Sequence, residues 1–298
     1  MLRALRGLGL EGIEICVEEL GAWRDAISAA PLVFELTDTY RGSGELRAVV
    51  RHTVEAWGGR LAGSPASAAH VSDDKVESGR RLLAAGLRVP ASSVVSDPAE
   101  LCRAAFPAVL KRPFEHGSRG VSLVENAAQA SRAFKAWRSK GEHAILVEEF
   151  VEGRELAVSV LETAGGPKAL PIVEVQLRER TYSERAKWGR GPLPICEAQL
   201  SRGETKRIEG AALRAFRVLG LRDCGRFDIR LPGDGIPCFL EANARPSIED
   251  GTELRLSGEL AGLDLEALVA TIMENAARRH GDGRLEHLVQ GLRERHRS

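Results

Sequence analysis

The 298-residue sequence has no apolar run approaching the ~20 residues that cross a bilayer as a helix, which excludes a helical membrane anchor. Its opening stretch, MLRALRGLGLEGIE, carries charges but neither a sustained apolar core nor a secretory cleavage pattern, so the expected location is the cytoplasm. Cysteine is sparse: Cys16, Cys102, Cys196, Cys224 and Cys238 share no metal-ligand or redox spacing, and their number is odd. Free, mostly buried thiols are expected. There is no excess charge of either sign, with 42 Lys+Arg against 42 Asp+Glu, and aromatics make up only 5%. Both argue against a nucleic-acid binder and leave small-molecule chemistry open. Internal repeats, low-complexity segments and a Walker A loop are also lacking. What remains is an ordinary soluble composition, 43% hydrophobic and 28% charged, on a chain long enough for two or three cores.

Helical and strand patterns alternate, which predicts an α/β or α+β protein. Residues 2–8 read as a short helix, 13–17 and 31–36 as strands, and 45–57 as an amphipathic helix. The Gly and Pro cluster between Gly58 and Pro65 places a first boundary near residue 70. A helix is predicted over 72–86, capped by Ser72 or Asp73, then strands at 108–111 and up to Val124, a helix over 126–140 and a strand over 144–150. A second boundary falls near Glu152 and Gly153, dividing the chain into segments 1–70, 71–153 and 154–298. The last should hold strands at 155–162 and 171–176, a polar loop at 178–195, a helix over 203–219, a hairpin at 225–242 and helix to the end.

The hairpin GRFDIRLPGDGIPCFLEAN concentrates the chemistry. Its turn is Pro232-Gly233-Asp234-Gly235. Alternation turns Phe227, Ile229 and Leu231 to one face with Ile236, Cys238 and Leu240, and Arg226, Asp228 and Glu241 to the other. A turn centred between Gly233 and Asp234 sets Arg226 opposite Glu241 and Asp228 diagonal to Glu241, at roughly 7 Å. With Asn243 two residues on, two carboxylates and an amide oxygen converge, a hard donor set suited to Mg²⁺. The plain alternative is a solvated face with an Arg226–Glu241 ion pair.

Two further stretches suit a nucleotide. In Lys111-Arg-Pro-Phe-Glu-His-Gly-Ser-Arg-Gly-Val121, the glycines allow backbone N–H groups close to an anion that Lys111 can also reach. In ILVEEFVEGRE, residues 145–155, an apolar strand breaks into acids, offering backbone groups to an adenine edge and Glu155 to ribose hydroxyls. A hairpin loop and an acidic surface turn are the plain readings of each alone.

Taken in order, Lys75, Lys111 with GSRGV, VEEFVEGRE, GRFD and LEANARP resemble the ATP-grasp superfamily, and within it the D-alanine–D-alanine ligase family, over roughly residues 31–275. The resemblance implies an ATP-grasp fold with ATP gripped between the central and C-terminal segments, and an N-terminal α/β domain shortened by its first strand. It implies that Lys75, Lys111 and Lys187 contact phosphates, that Gly117, Ser118 and Gly120 belong to a mobile loop over them, that Glu148, Glu149, Phe150 and Val151 form the adenine hinge, and that Glu155 meets the ribose. Asp228, Glu241 and Asn243 match the ligands of two magnesium ions, which Mn²⁺ can replace. Arg226 matches the arginine that steadies an acyl phosphate and the tetrahedral intermediate, with Lys187 and Ser118 assisting. The implied partners are small carboxylates and amines, such as amino acids or short peptides, with no nucleic acid or membrane; a homodimer could form through the N-terminal helix and the 31–36 strand.

Departures fall on the substrate side. The family's first loop serine is Gly117 here, its partner tyrosine aligns with Trp188, and its N-terminal glutamate has no counterpart. After Asn243 the run is Ala-Arg245-Pro-Ser247-Ile-Glu-Asp-Gly-Thr252-Glu253, in which Thr252 can replace a substrate-holding serine. Glu249, Asp250 and Glu253 suit an acceptor with a cationic group, or else form a solvated acidic helix start. The expected function is an ATP-dependent carboxylate–amine ligase for a pair other than two D-alanines. The alternatives are an ordinary D-alanine–D-alanine ligase and a non-catalytic nucleotide-binding protein.

Overall fold

A computed structural model describes residues 1–15, 17, 23–37, 40–41, 46–114, 120–139, 143–177 and 194–297. Strands β1 (Val33–Phe34) and β2 (Leu61–Ala62) pair in parallel. Strands β3 (Ser92–Val95), β4 (Ala108–Lys111), β5 (Val121–Val124) and β6 (Ile145–Glu149) form an antiparallel sheet ordered β3-β6-β4-β5. One face is closed by the helix Ala127–Arg138, whose Ala130 and Phe134 pack with Leu110, Val124, Ile145 and Val147.

The largest sheet grows around β7 (Arg154–Thr163), buried without a break from Glu155 to Leu161. A strand covered on both faces loses the polar–apolar alternation, and β7 is covered on both. Leu156, Val158 and Val160 meet Ile208, Ala212 and Phe216 of the helix Arg202–Val218. On the other face Leu161 meets Leu254, Leu268 and Ile272 of the helices Glu253–Leu260 and Leu265–Arg279. The remaining strands are β8 (Gly166–Ala169), β9 (Val173–Val175), β10 (Ile195–Glu197), β11 (Cys224–Leu231) and β12 (Cys238–Asn243), ordered β10-β9-β7-β11-β12 with β8 against β7. The N-terminal helix Leu2–Gly7 lies on the C-terminal helices, with Leu5 and Leu8 packed among Leu265, Val269 and Met273.

Several expectations change. Among the described residues at 13–17 there is no strand, and Ile13 is 84% exposed, so its side chain does not enter a core. A helix over Arg24–Ala29 and strands β3 and β8 escaped the sequence reading, because each is short and weakly periodic. The helix expected over 72–86 is two helices, Ala66–Asp73 and Lys75–Ala84. Between them Asp74 turns to extended backbone, and its carboxylate accepts from the N–H groups of Val76 and Glu77 at 2.9 and 3.0 Å, making it the cap instead of Ser72 or Asp73. Among the described residues no helix is long and apolar enough to cross a membrane. The four cysteines described are free: Cys224 and Cys238 are buried, Cys196 is half-buried and Cys102 is exposed.

Between β6 and β7 the chain turns at Gly153, whose φ of +146° excludes an ordinary side chain; an added Cβ would sit 2.4 Å from the Leu231 carbonyl oxygen. Gly153→Ala is therefore expected to cost about 1–3 kcal/mol from the backbone conformation alone, plus the clash, read as a lowered midpoint in urea unfolding.

Candidate active site

The hairpin brings its acids closer than alternation implied. Arg226 pairs with Asn243 and Asp228 lies directly opposite Glu241. The register shifts between Asp228 and Ile229, where Ile229 pairs with Phe239 and Leu240 is the extra residue on β12. This β-bulge resets the phase: Phe239 and Ala242 enter the core while Glu241 and Asn243 stay on the Asp228 face. It also exposes the Leu240 carbonyl, which accepts from Lys111 Nζ at 3.4 Å and so ties the end of β4 to β12.

The cations here are paired with the acids. Lys111 lies 2.6 Å from Glu148, with both side chains buried. Burial pulls the Lys111 ammonium down, but Glu148, with Glu241 and Glu155 behind it, outweighs this and holds its pKa above the ordinary lysine value. Lys75, the first residue of its helix, is buried and lies 3.5 Å from Glu241. A narrow cavity lined by Lys75, Ser92, Glu148, Leu240 and Glu241 runs between these pairs. Glu149 is exposed at the end of β6, Phe150 lies beneath the Arg230 guanidinium at 5.6 Å, and Val151 is buried. Gly120 has φ +64° and its carbonyl accepts from the Arg112 N–H.

Arg226 grips Asp228 through Nε and Nη2 at 2.7 and 2.9 Å and reaches Glu253 through Nη1 at 2.8 Å. Burial lowers the Arg226 pKa, but Asp228 and Glu253 more than reverse this and keep it charged. For Asp228 burial raises the pKa, Arg226 opposes, and Glu253 and Glu241 add to the rise; the net direction is upward. Glu253 is buried, whereas Glu249 and Asp250 are exposed, Asp250 pairing with Arg3 and Arg255. Only Glu253 of the three acids in this run therefore meets Arg226. The Thr252 hydroxyl donates to the Ser247 and Glu249 carbonyls at 2.9 and 2.7 Å, closing its own loop, and Ser247 Oγ accepts from the Glu249 N–H.

Glu155 pairs with Arg230 at 2.7 Å. Burial pushes its carboxyl up, Arg230 and Lys111 pull it down, Asp228 adds to the rise, and the result is a pKa of about 7 against an ordinary 4.5. Between these values the folded chain holds a proton that the unfolded chain has released, so the contribution of Glu155 to stability is present below 4.5 and is lost as pH rises through about 7. The expected outcome is that urea unfolding at pH 5 and pH 8 shows wild type losing more stability than Glu155→Gln across that interval. Equal slopes in the two proteins would contradict it.

Arg245 anchors a buried group that sequence reasoning missed. Its guanidinium pairs with Glu35 and, at 3.1 Å, with Asp73, while Arg51 holds Glu35 from the other side at 3.0 Å. The only sequence signals for these partners were an acid directly after the apolar PLVF run and an acid directly before Asp74-Lys75. Gly117, Ser118, Lys187 and Trp188 lie outside the described residues.

Two antiparallel sheets joined where paired lysines meet paired acids form the ATP-grasp plan. A crystal structure of D-alanine–D-alanine ligase from Bacillus anthracis superposes with TM-score 0.77 over 92% of this chain and 89% of that one, at 21% identity, and its complex with ATP superposes at 0.74. The VanG D-Ala:D-Ser ligase of Enterococcus faecalis shares the fold at TM-score 0.72 and 19% identity, over 83% of this chain and 73% of its own. The protein is an ATP-using ATP-grasp ligase of the ADP-forming, carbon–nitrogen class. Its family follows from sequence: the model for the D-ala D-ala ligase C-terminus matches residues 93–274. D-alanine–D-alanine ligase of Bordetella petrii is 31% identical over 220 residues, 72% of this chain and 67% of that protein. The enzyme of the same name from Pseudothermotoga lettingae is 29% identical over 282 residues, 93% and 92% of the two chains. The chain belongs to the D-alanine–D-alanine ligase family.

Proposed function

We propose that this enzyme joins a carboxylate to an amine through an acyl phosphate, with magnesium held by Asp228, Glu241 and Asn243. The observation that carries the reading is the Asp228–Glu241 cross-strand pair with Asn243 on the same face. All three donate oxygen, as magnesium requires. Two carboxylates and one amide leave the rest of a magnesium shell to water and phosphates. Glu253, which meets Arg226 at 2.8 Å, adds a third carboxylate beside the Asp228–Glu241 pair, and a divalent cation offsets such crowding.

When bound, magnesium would neutralise phosphate charge during transfer. The chain's own residues do the rest. Lys75 and Lys111 exchange Glu241 and Glu148 for phosphate oxygens, and Lys187 joins them. Glu148, Glu149, Phe150 and Val151 border the adenine, and Glu155 accepts from the ribose. Arg226 faces the negative charge that develops on the acyl phosphate and on the tetrahedral intermediate. Gly117, Ser118 and Gly120 close over the reacting groups to exclude water.

The substrate pair in this reading is not two D-alanines, and the acceptor carries a cationic group that Glu253 receives. Support comes from the buried Glu253 carboxylate beside Arg226 and from the Thr252 hydroxyl, which is committed to its own loop. The specific alternative is D-alanyl-D-alanine synthesis, favoured by the names of the sequence relatives. Phosphate release with D-alanine alone, then with a panel of amino acids and diamines, separates the two. Turnover is expected only with the panel, and robust conversion of D-alanine to D-alanyl-D-alanine would overturn the reading.

A further inference from the structure

We propose that Arg245 is a positioning residue that holds the phosphate-side Lys75 and the metal-side Asn243 in one frame; the inference rests on the magnesium role given to Asn243 above. Arg245 follows β12 by two residues, and its backbone N–H donates to Asn243 Oδ1 at 2.8 Å, which sets the rotation of that amide. One lone pair of the oxygen is thereby used and the other left for a ligand. The guanidinium reaches in the opposite direction. Nη2 meets Asp73 Oδ2 at 3.1 Å, and Nη1 meets Glu35 and, at 3.3 Å, the Thr37 carbonyl. Asp73 ends its helix two residues before Lys75, and Lys75 pairs with Glu241 on the same strand as Asn243. The contacts close a ring: β12, Arg245, Asp73, Lys75, and β12 again.

The ring is stiff because it is buried and balanced. The Arg245 side chain is 9% exposed, and those of Asp73, Glu35 and Arg51 are 3%, 2% and 2%. Two arginines against two acids make a neutral set, the condition under which buried charges are tolerated. Glu35 does not swing freely, since Arg51 and the Thr37 N–H, at 2.7 Å, also hold it. A planar fork can serve Glu35, Asp73 and the Thr37 carbonyl together; a lysine in its place reaches one. Residues that orient metal ligands typically change metal affinity or activity by 10–100-fold when replaced.

A built-in control separates positioning from plain stability. Arg279 forms a comparable lock, pairing with Asp223 at 2.5 and 2.9 Å and with the Leu61 carbonyl at 3.0 Å, at the far end of β11 from Asp228. Both arginines tie N-terminal segments to the large sheet, but only Arg245 touches Asn243. The test titrates Mn²⁺ into full-length protein with ADP present and follows the electron paramagnetic resonance signal of free Mn²⁺. Arg245→Lys is expected to weaken Mn²⁺ binding 10–100-fold and Arg279→Lys to leave it unchanged while lowering the thermal midpoint. Asp73→Asn, which removes the charge on the Lys75 side, is expected to weaken binding in the same direction and serves if the lysine variant does not fold. Asn243→Ala reports on the underlying reading. Lost binding there with wild-type binding in Arg245→Lys overturns the positioning role alone. Wild-type binding in Asn243→Ala overturns the metal assignment and the inference with it.

Discussion

Asp228→Asn is expected to lower the rate of ADP release by about 10²–10³-fold while leaving the fold intact. Asparagine keeps the shape and one acceptor oxygen, so Nε of Arg226 retains a partner there, and Nη1 keeps Glu253 at 2.8 Å. What disappears is a full negative charge directly opposite Glu241. Its loss weakens the proposed cation site, which then holds one carboxylate and two amide oxygens in place of two carboxylates and one. Because Arg226 stays paired, the thermal midpoint should move by only a few degrees, and a rate change without unfolding is the expected signature. The assay couples ADP release to a spectrophotometric readout across a magnesium titration, using the substrates that the panel identifies. A variant turning over within tenfold of wild type at saturating magnesium would remove Asp228 from the reaction.

Lys111→Met should affect stability and nucleotide binding together, and a second substitution should separate them. Removing Lys111 leaves the Glu148 carboxylate buried without the ammonium 2.6 Å away, and breaking a buried pair from one side costs about 3–5 kcal/mol. It also removes the tie from β4 to the Leu240 carbonyl. Adding Glu148→Gln makes the site neutral, so the double variant is expected to recover most of the lost stability, a non-additivity that residues in direct contact show. Nucleotide affinity should not return, because no ammonium then faces the Leu240 carbonyl from β4, and Arg112, the next residue, lies over the Trp137 ring instead. Urea unfolding measures the first quantity and calorimetric titration with ADP the second. Recovery of both in the double variant would make Lys111 a structural residue only.

These outcomes depend on features of unequal visibility in the chain. The order of Lys111, the 145–155 strand and the hairpin was legible because each is a short local pattern, an apolar strand ending in a charge or a Pro-Gly-Asp-Gly turn between alternating strands, whereas Lys75 was singled out only through the family resemblance. Helix Arg202–Val218 was legible through its period, and its Ser201–Glu204 capping box marks the start. The direct opposition of Asp228 and Glu241 was not. Strand alternation counts residues, and a bulge at Leu240 adds one residue that no local signal announces.

The sequence alone thus determined the family, the sheet-bearing segments and the order in which their charged residues occur, because these depend on local pattern and chain order. Tertiary structure decided the partnerships. Lys75 meets Glu241 across 166 positions of chain, Arg245 meets Glu35 across 210, and Glu253 rather than Glu249 or Asp250 meets Arg226. Such pairs are chosen by which buried charges must be neutralised once the sheets and helices pack, and that requirement exists only in the folded interior.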